Sequence, residues 1–174
     1  MKKIVSVVLL GWIVFASCEL NKGVLDFDKA TFDREYAAWE ASSIQDYRFT
    51  QEYFDDATGP INGVRITVKE NTEPVFEIRD KWILENVPEE GWRWYYSCFK
   101  TTISDIYASI AETYTSAQDR VNKGEVATIA ITYNTQYHYP EYVMYIIGHR
   151  GESVDGGEGW TLKITEFTPL PSGE

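Results

Sequence analysis

Two histidines, His138 and His149, offer the most versatile acid–base and ligand chemistry in this chain. They stand eleven residues apart, near opposite ends of one predicted strand. A zinc site needs three or four nitrogen, sulfur or oxygen ligands converging on one point, and this pair alone does not supply that set. We therefore expect two surface histidines, no metal and no cofactor.

Nucleophilic chemistry has few candidates. Cys98 sits among Tyr95, Tyr96 and Phe99, an apolar setting in which a lone cysteine usually behaves as a small buried hydrophobe. The sequence contains no Gly-x-Ser-x-Gly motif, and a hydrolase without metal needs a nucleophile, a base and an orienting acid within reach of one another. We expect no catalytic residues.

Carboxylates are concentrated in predicted loops. Asp55 and Asp56 occupy one loop, and Glu152, Asp155 and Glu158 occupy a glycine-rich one. Calcium loops place oxygen ligands at alternating positions around a tight glycine, and these segments match that spacing poorly. We interpret them as solvated turns, with the 152–158 loop as a candidate acidic contact surface.

An aromatic stretch at 92–99 is the strongest candidate for a binding surface. Trp92, Trp94 and Tyr96 would share one face if the segment were a strand. Tryptophan and tyrosine concentrate at contact surfaces because each buries a large area with little loss of rotamer freedom. The alternative is that this face completes the core. The stretch therefore predicts either a platform for a protein, a glycan or a lipid chain, or a core contribution.

The start of the chain predicts lipid modification of Cys18. Lys2 and Lys3 precede an apolar run that ends in Phe15-Ala16-Ser17-Cys18. The run has the length of a signal h-region and is too short to span a bilayer. The small residues before Cys18 resemble a bacterial lipobox, although Phe15 replaces the usual aliphatic residue. We expect cleavage after residue 17 and a lipid anchor in the cell envelope, on the periplasmic face or the cell surface; the alternative is ordinary cleavage and secretion.

The acidic charge argues against two classes of partner. The formal charge is −11, and it becomes −13 once Lys2 and Lys3 leave with the signal. Such an acidic domain is a poor match for nucleic acid or for a flat anionic membrane surface. The expected partners are the lipid bilayer, reached through acylated Cys18, and an envelope protein or glycan.

After a short linker at 18–26, apolar residues recur with the spacing of a helix in two segments and with the spacing of a strand in several others. The first helix is expected at 28–42, with strands at 47–53, 64–68 and 75–78. The second begins at the Thr102-x-x-Asp105 capping box and precedes strands at 127–133, 142–147 and 160–167. Residues 79–100 fit an excursion hairpin or a covering loop. The pattern predicts a single α+β domain at 27–168 with a tail at 169–174, in which two helix-then-three-strand segments build an antiparallel sheet with helices on one face.

Several short motifs resemble a family of bacterial lipoproteins catalogued as domain of unknown function 6174. They are Trp39 with Tyr47 and Phe49, the segment 102–107, the segment 131–134 with Tyr139-Pro140, and the segment 160–169. The resemblance covers about 30–168 and implies this fold and an envelope location. It implies no activity, and a cysteine pair and an aspartate of the family are replaced here by Phe54-Asp55 and Asn134.

The sequence thus favours a non-catalytic, membrane-tethered binding or accessory module. A second hypothesis is an inhibitor or immunity-like protein that inserts the acidic loop into the basic cleft of a hydrolase. A third is a cryptic hydrolase.

Overall fold

The computed structural model describes residues 23–55, 59–149 and 158–171, without the side chains of residues 55, 61, 62 and 93–95. Helices and strands account for most of these ranges. The helices are α1 (Lys29–Ala41), α2 (Lys81–Asn86), a 3-10 turn (Glu89–Gly91), α3 (Trp92–Ser97) and α4 (Ile103–Val121). The strands are β1 (Val24–Asp26), β2 (Tyr47–Asp55), β3 (Gly59–Val68), β4 (Val75–Ile78), β5 (Glu125–Tyr133), β6 (Pro140–His149) and β7 (Glu158–Pro169).

The strands form one sheet in the order β1-β5-β6-β7-β2-β3-β4. All neighbouring strands are antiparallel except β1 and β5, which are parallel. The sheet therefore consists of two meanders, β2-β3-β4 and β5-β6-β7, joined where β7 pairs with β2. The prediction of an α+β fold with a mostly antiparallel sheet is confirmed.

The prediction of a linker at 18–26 is wrong for its last three residues. Val24–Asp26 forms the edge strand β1, in register with Val126, Ala127 and Thr128 of β5. A three-residue strand is too short to show a period of two, and its backbone partner lies about a hundred residues further along the chain. The folded domain thus begins before residue 27.

Helix α4 is held at its start by side chains. The Thr102 hydroxyl accepts a hydrogen bond from the Asp105 amide, and the Asp105 carboxylate accepts one from the Thr102 amide, each at 3.0 Å. This is the capping box that the sequence indicates. The Tyr47 hydroxyl accepts a third bond, from the Ile103 amide at 3.1 Å. Strand β2 and α4 are therefore fixed to each other at this end of the sheet.

One face of the sheet forms the core together with α1 and α4. The buried set from α4 includes Ile103, Ile106, Tyr107 and Ile110, which continue one helical stripe. Helix α1 adds Phe32 and Trp39. From the central strands come Phe49, Gln51, Val64, Ile66, Val143, Leu162 and Ile164. Gln51 is the polar member of this apolar layer.

The segment 79–100 is helical, so the expected hairpin or loop is wrong. Asp80 begins α2 by accepting hydrogen bonds from the amides of Trp82 and Ile83. Gly91 closes the 3-10 turn with a bond to the Pro88 carbonyl at 2.8 Å. Aromatic residues have only a context-dependent preference for strands, and packing onto the core determines the backbone here.

Candidate functional site

A cavity of about 110 Å³ lies between α4 and the centre of the sheet. The buried part of its lining consists of Gln51 at the floor, in the sheet, and of Ile106, Ile110 and Leu162 as walls. The remaining lining residues, which are half-buried, are Tyr53, Cys98, Lys100, Ser109 and Trp160. The cavity thus combines apolar side chains of α4 and the sheet with the Gln51 amide and with polar groups around the rim, among them Ser109 of α4.

Gln51 is the distinctive group of this cavity. It is fully buried, and its register opposite Val64 on one side and Ile164 on the other places it in mid-sheet. Neither Oε1 nor Nε2 has a hydrogen-bond partner among the described residues. Each buried polar atom left in that state costs about 1–3 kcal/mol. Such groups are rare in native proteins and mark a place where water or a ligand completes the bonding.

The strand pattern explains why this amide faces the cavity. Tyr47, Phe49, Gln51 and Tyr53 alternate along β2 and point to the helix side of the sheet, as the period of two predicts. Phe49 and Tyr47 meet apolar neighbours there. Gln51 occupies the next position, where Ile106 and Ile110 of α4 provide no polar group to receive it.

The rim of the cavity combines rings and polar groups. Tyr53 and Trp160 contact each other with ring centroids 6.2 Å apart. Lys100 and Ser109 also line an adjoining surface groove of about 360 Å³, which contains the carboxyl groups of Asp105 and Glu112. The cavity therefore adjoins solvent on the side of α4.

A second polar cluster lies at the β5–β6 hairpin, remote in sequence from its partner on α1. His138 Nδ1 and Glu35 Oε2 are 2.8 Å apart, and the Tyr107 hydroxyl donates to the His138 carbonyl. His138 has the left-handed backbone angle φ 62°. Hydrogen bonds from His138 and Arg34 hold the pKa of Glu35 below its ordinary value.

The buried Tyr107 and the half-buried Tyr133 complete this second cluster. Burial raises the pKa of both Tyr107 and Tyr133 well above the ordinary value. The Tyr133 hydroxyl has no hydrogen-bond partner in the described part of the chain. His138 is therefore a positioned residue and not a simple surface histidine, whereas His149 is exposed at the end of β6. A contact across 103 residues leaves no signal in the local sequence.

The three aromatic candidates do not form a strand face. Trp92 and Tyr96 lie one turn apart on α3 and are half-buried against the core. Trp92 Nε1 donates to the Val87 carbonyl at 3.1 Å, and the ring of Tyr96 contacts Phe76 at 5.1 Å. The shared face of Trp92, Trp94 and Tyr96 was expected only for a strand, and the backbone of this segment is helical. The Trp94 side chain lies outside the described residues.

The acidic and lipid candidates fall mostly outside the described ranges. Cys18, Glu152 and Asp155 are among the residues that the structure does not describe. Glu158 begins β7, where Arg120 Nη1 contacts its carboxylate at 3.1 Å. Glu158 is therefore part of an ion pair at the start of a strand.

A Ser-x-x-Lys spacing at Ser97–Lys100 was missed by the sequence reasoning above. In β-lactamases and penicillin-binding proteins this spacing occurs with Ser-Asp-Asn and Lys-Thr-Gly motifs, which this sequence lacks. Ser97 is the last residue of α3 and is exposed, and Lys100 follows outside the helix. The two residues therefore do not lie on one helical turn.

Within residues 23–55, 59–149 and 158–171, no group of three or more potential metal ligands lies together. No helix in these ranges is long and apolar enough to cross a membrane. Comparison of the chain with protein-family models, with curated proteins and with solved structures found no match.

Proposed function

We propose that this protein is a non-catalytic binding module, tethered to the bacterial envelope through lipidated Cys18, whose ligand site is the cavity under α4. The observation that carries the proposal is the fully buried Gln51 amide, which faces this cavity without a partner among the described residues. An unsatisfied amide at a core position lowers the stability of the protein. Residues that lower stability in this way are often found at functional sites.

The chemistry of the lining favours binding over hydrolysis. Its polar groups are an amide, hydroxyls, a thiol, an indole N–H and one ammonium group. No carboxylate or imidazole lines the described cavity, so a general base with an orienting acid is missing from it. The hydrolase hypothesis thus has no support from this site.

The entry of the chain into the domain supports a close tether. Gly23 donates to the Val121 carbonyl at 3.0 Å, and a Cβ at Gly23 would lie 1.6 Å from the Glu125 carbonyl oxygen. The backbone therefore passes tightly between the end of α4 and the start of β5. Five residue steps separate Gly23 from Cys18, which span roughly 17 Å when extended. A lipid on Cys18 would hold this end of the sheet near the membrane.

The same geometry weakens the inhibitor hypothesis. The start of β5 is in register with the end of β6, and the end of β6 with the start of β7. The end of β6 and the start of β7 therefore lie at the end of the sheet where the chain enters. A tethered domain would turn this end of the sheet toward the membrane, whereas an inhibitory surface has to reach into the cleft of a partner.

We also propose that the chain is related to the family catalogued as domain of unknown function 6174. The element order supports it, since α1 precedes β2, β3 and β4, and α4 precedes β5, β6 and β7. We propose these two helix-then-three-strand segments, with their helices on one face, as the scaffold of that family. The structure of a family member with a different order of strands in the sheet would contradict this.

The binding function is tested by a fragment screen. The mature chain from residue 18, with Cys18→Ser to remove only the lipid, is labelled with ¹⁵N and screened by NMR against neutral, anionic and apolar fragments. We expect a subset of fragments to shift the amide signals of Gln51, Ser109 and Leu162 together. Absence of binding by every fragment, or shifts confined to other surfaces, would contradict the proposal. Mass spectrometry of the native N-terminus tests the tether separately.

A further inference from the structure

The ligand class follows from the hydrogen-bonding pattern of Gln51. A glutamine side chain presents a carbonyl acceptor and an N–H donor side by side in one plane. Both are buried at the cavity floor without partners among the described residues. The geometry points to a ligand with the complementary edge: we infer that the cavity binds a small neutral lactam or primary carboxamide, whose adjacent N–H and C=O pair with Gln51. This inference rests on the proposed binding function of the cavity.

Other functional groups match this floor less well. A carboxylate has only acceptors and leaves Oε1 without a donor, while a hydrocarbon leaves both atoms unsatisfied. A hydroxyl group has a single oxygen, so it cannot form two parallel hydrogen bonds in the plane of the Gln51 amide. A site built to hydrogen-bond a polar edge rejects analogues that lack it, because its own buried groups then remain unpaired. The amide edge satisfies both atoms at once.

Charge also favours a neutral ligand. Lys100 is the cationic residue of the described lining, and the groove that it shares with the cavity also contains Asp105 and Glu112. The whole chain carries a formal charge of −11. A single ammonium group at the rim, with carboxylates in the same groove, gives an anion little net attraction.

The size of the cavity limits the ligand to about one ring. The cavity measures about 110 Å³, somewhat less than an engineered cavity of about 150 Å³ that binds benzene. Ile106, Ile110 and Leu162 supply apolar walls for the body of the ring. Tyr53 and Trp160 supply aromatic surface at the rim, against which a planar group can lie. A single six-membered lactam, with its amide edge on the floor and part of its ring at the rim, is the largest ligand of this class that we expect the cavity to bind.

The test compares 2-pyridone, which has the free amide edge, with N-methyl-2-pyridone, in which a methyl group replaces the donor. Toluene and benzoate serve as apolar and anionic probes, and binding is followed by NMR titration of the mature Cys18→Ser chain. We expect 2-pyridone to bind at the cavity at least about tenfold more tightly than each of the others. We expect Gln51→Met to abolish this preference and Gln45→Met, on the exposed loop after α1, to preserve it.

The outcomes distinguish the proposed ligand class from the proposed binding function of the cavity. Binding of toluene, benzoate or N-methyl-2-pyridone at the cavity as tightly as 2-pyridone would overturn the ligand class while leaving a binding cavity. A preference for 2-pyridone that persists in Gln51→Met would also overturn it. Absence of cavity shifts with all four probes would overturn the ligand class and count against the binding function itself. The comparison within the wild-type chain decides the ligand class even if Gln51→Met fails to fold.

Discussion

Replacing Gln51 by methionine tests whether the buried amide in the cavity lowers the stability of the protein. Methionine has a similar length and no hydrogen-bonding requirement, so it removes the two polar atoms that lack partners among the described residues. An unsatisfied buried donor or acceptor costs about 1–3 kcal/mol, and replacement by an apolar group of similar shape can be stabilising. Water in the cavity would offset part of that cost. We therefore expect Gln51→Met to raise the free energy of unfolding by about 1–2 kcal/mol.

The assay is urea unfolding followed by tryptophan fluorescence, with thermal unfolding by circular dichroism beside it. For a chain of this size, 1 kcal/mol shifts Tm by about 2–4 °C, so the expected rise is readily measured. Gln45→Met is the matched control, and as an exposed substitution it should change stability by less than about 0.5 kcal/mol. A loss of more than about 1 kcal/mol in Gln51→Met would refute the reasoning, because it would mean that the amide already makes favourable hydrogen bonds in the ligand-free protein.

Three further changes test the elements around the cavity and the second cluster. Tyr47→Phe leaves the buried Ile103 amide without its acceptor and should cost about 1–3 kcal/mol of stability in urea unfolding. Glu35→Gln removes the carboxylate whose pKa is lowered by its hydrogen bond with His138. A carboxyl group with a lowered pKa stabilises the fold at pH values above its ordinary pKa, and this contribution is lost as the pH falls. The variant should therefore be less stable by about 1 kcal/mol or less at pH 7, and it should lose less stability than the wild type between pH 6 and pH 3. Trp92→Ala removes a ring packed against the core and its hydrogen bond, and should lower stability by about 2–3 kcal/mol.

Each of these outcomes has a contrary result. Unchanged stability of Tyr47→Phe would show that another group accepts from the helix start. An acid-unfolding curve of Glu35→Gln parallel to that of the wild type would show that the contact with His138 contributes nothing. Unchanged stability of Trp92→Ala, combined with loss of a co-purifying envelope protein, would favour the platform interpretation over the core. Tyr142→Phe, a partly exposed ring substitution, is a control for handling and expression.

Local sequence signals predicted much of the fold. Helix α4 follows from the apolar stripe and the Thr102–Asp105 capping box, whose two bonds the structure contains. Strand β2 follows from its alternation, in which Gln51 shares a face with Tyr47 and Phe49. Both elements depend on residues close together in the chain, so periodicity is sufficient to find them.

Features that depend on distant partners escaped prediction. Strand β1 exists because β5 offers it a backbone edge, and α3 exists because Trp92 and Tyr96 pack on the core. The candidate site belongs to the same class. Gln51 in an alternating strand resembles any polar residue, and its lack of a partner among the described residues emerges only where α4 packs over the sheet.

The electron density beside the Gln51 side chain, in a high-resolution crystal structure of the protein soaked with 2-pyridone, tests the central claim most directly. The account predicts a planar ring in the cavity, with its N–H and carbonyl groups about 2.8–3.0 Å from Gln51 Oε1 and Nε2, respectively. A cavity that contains only ordered water under these conditions, or a Gln51 side chain turned to bond with protein groups, would contradict it.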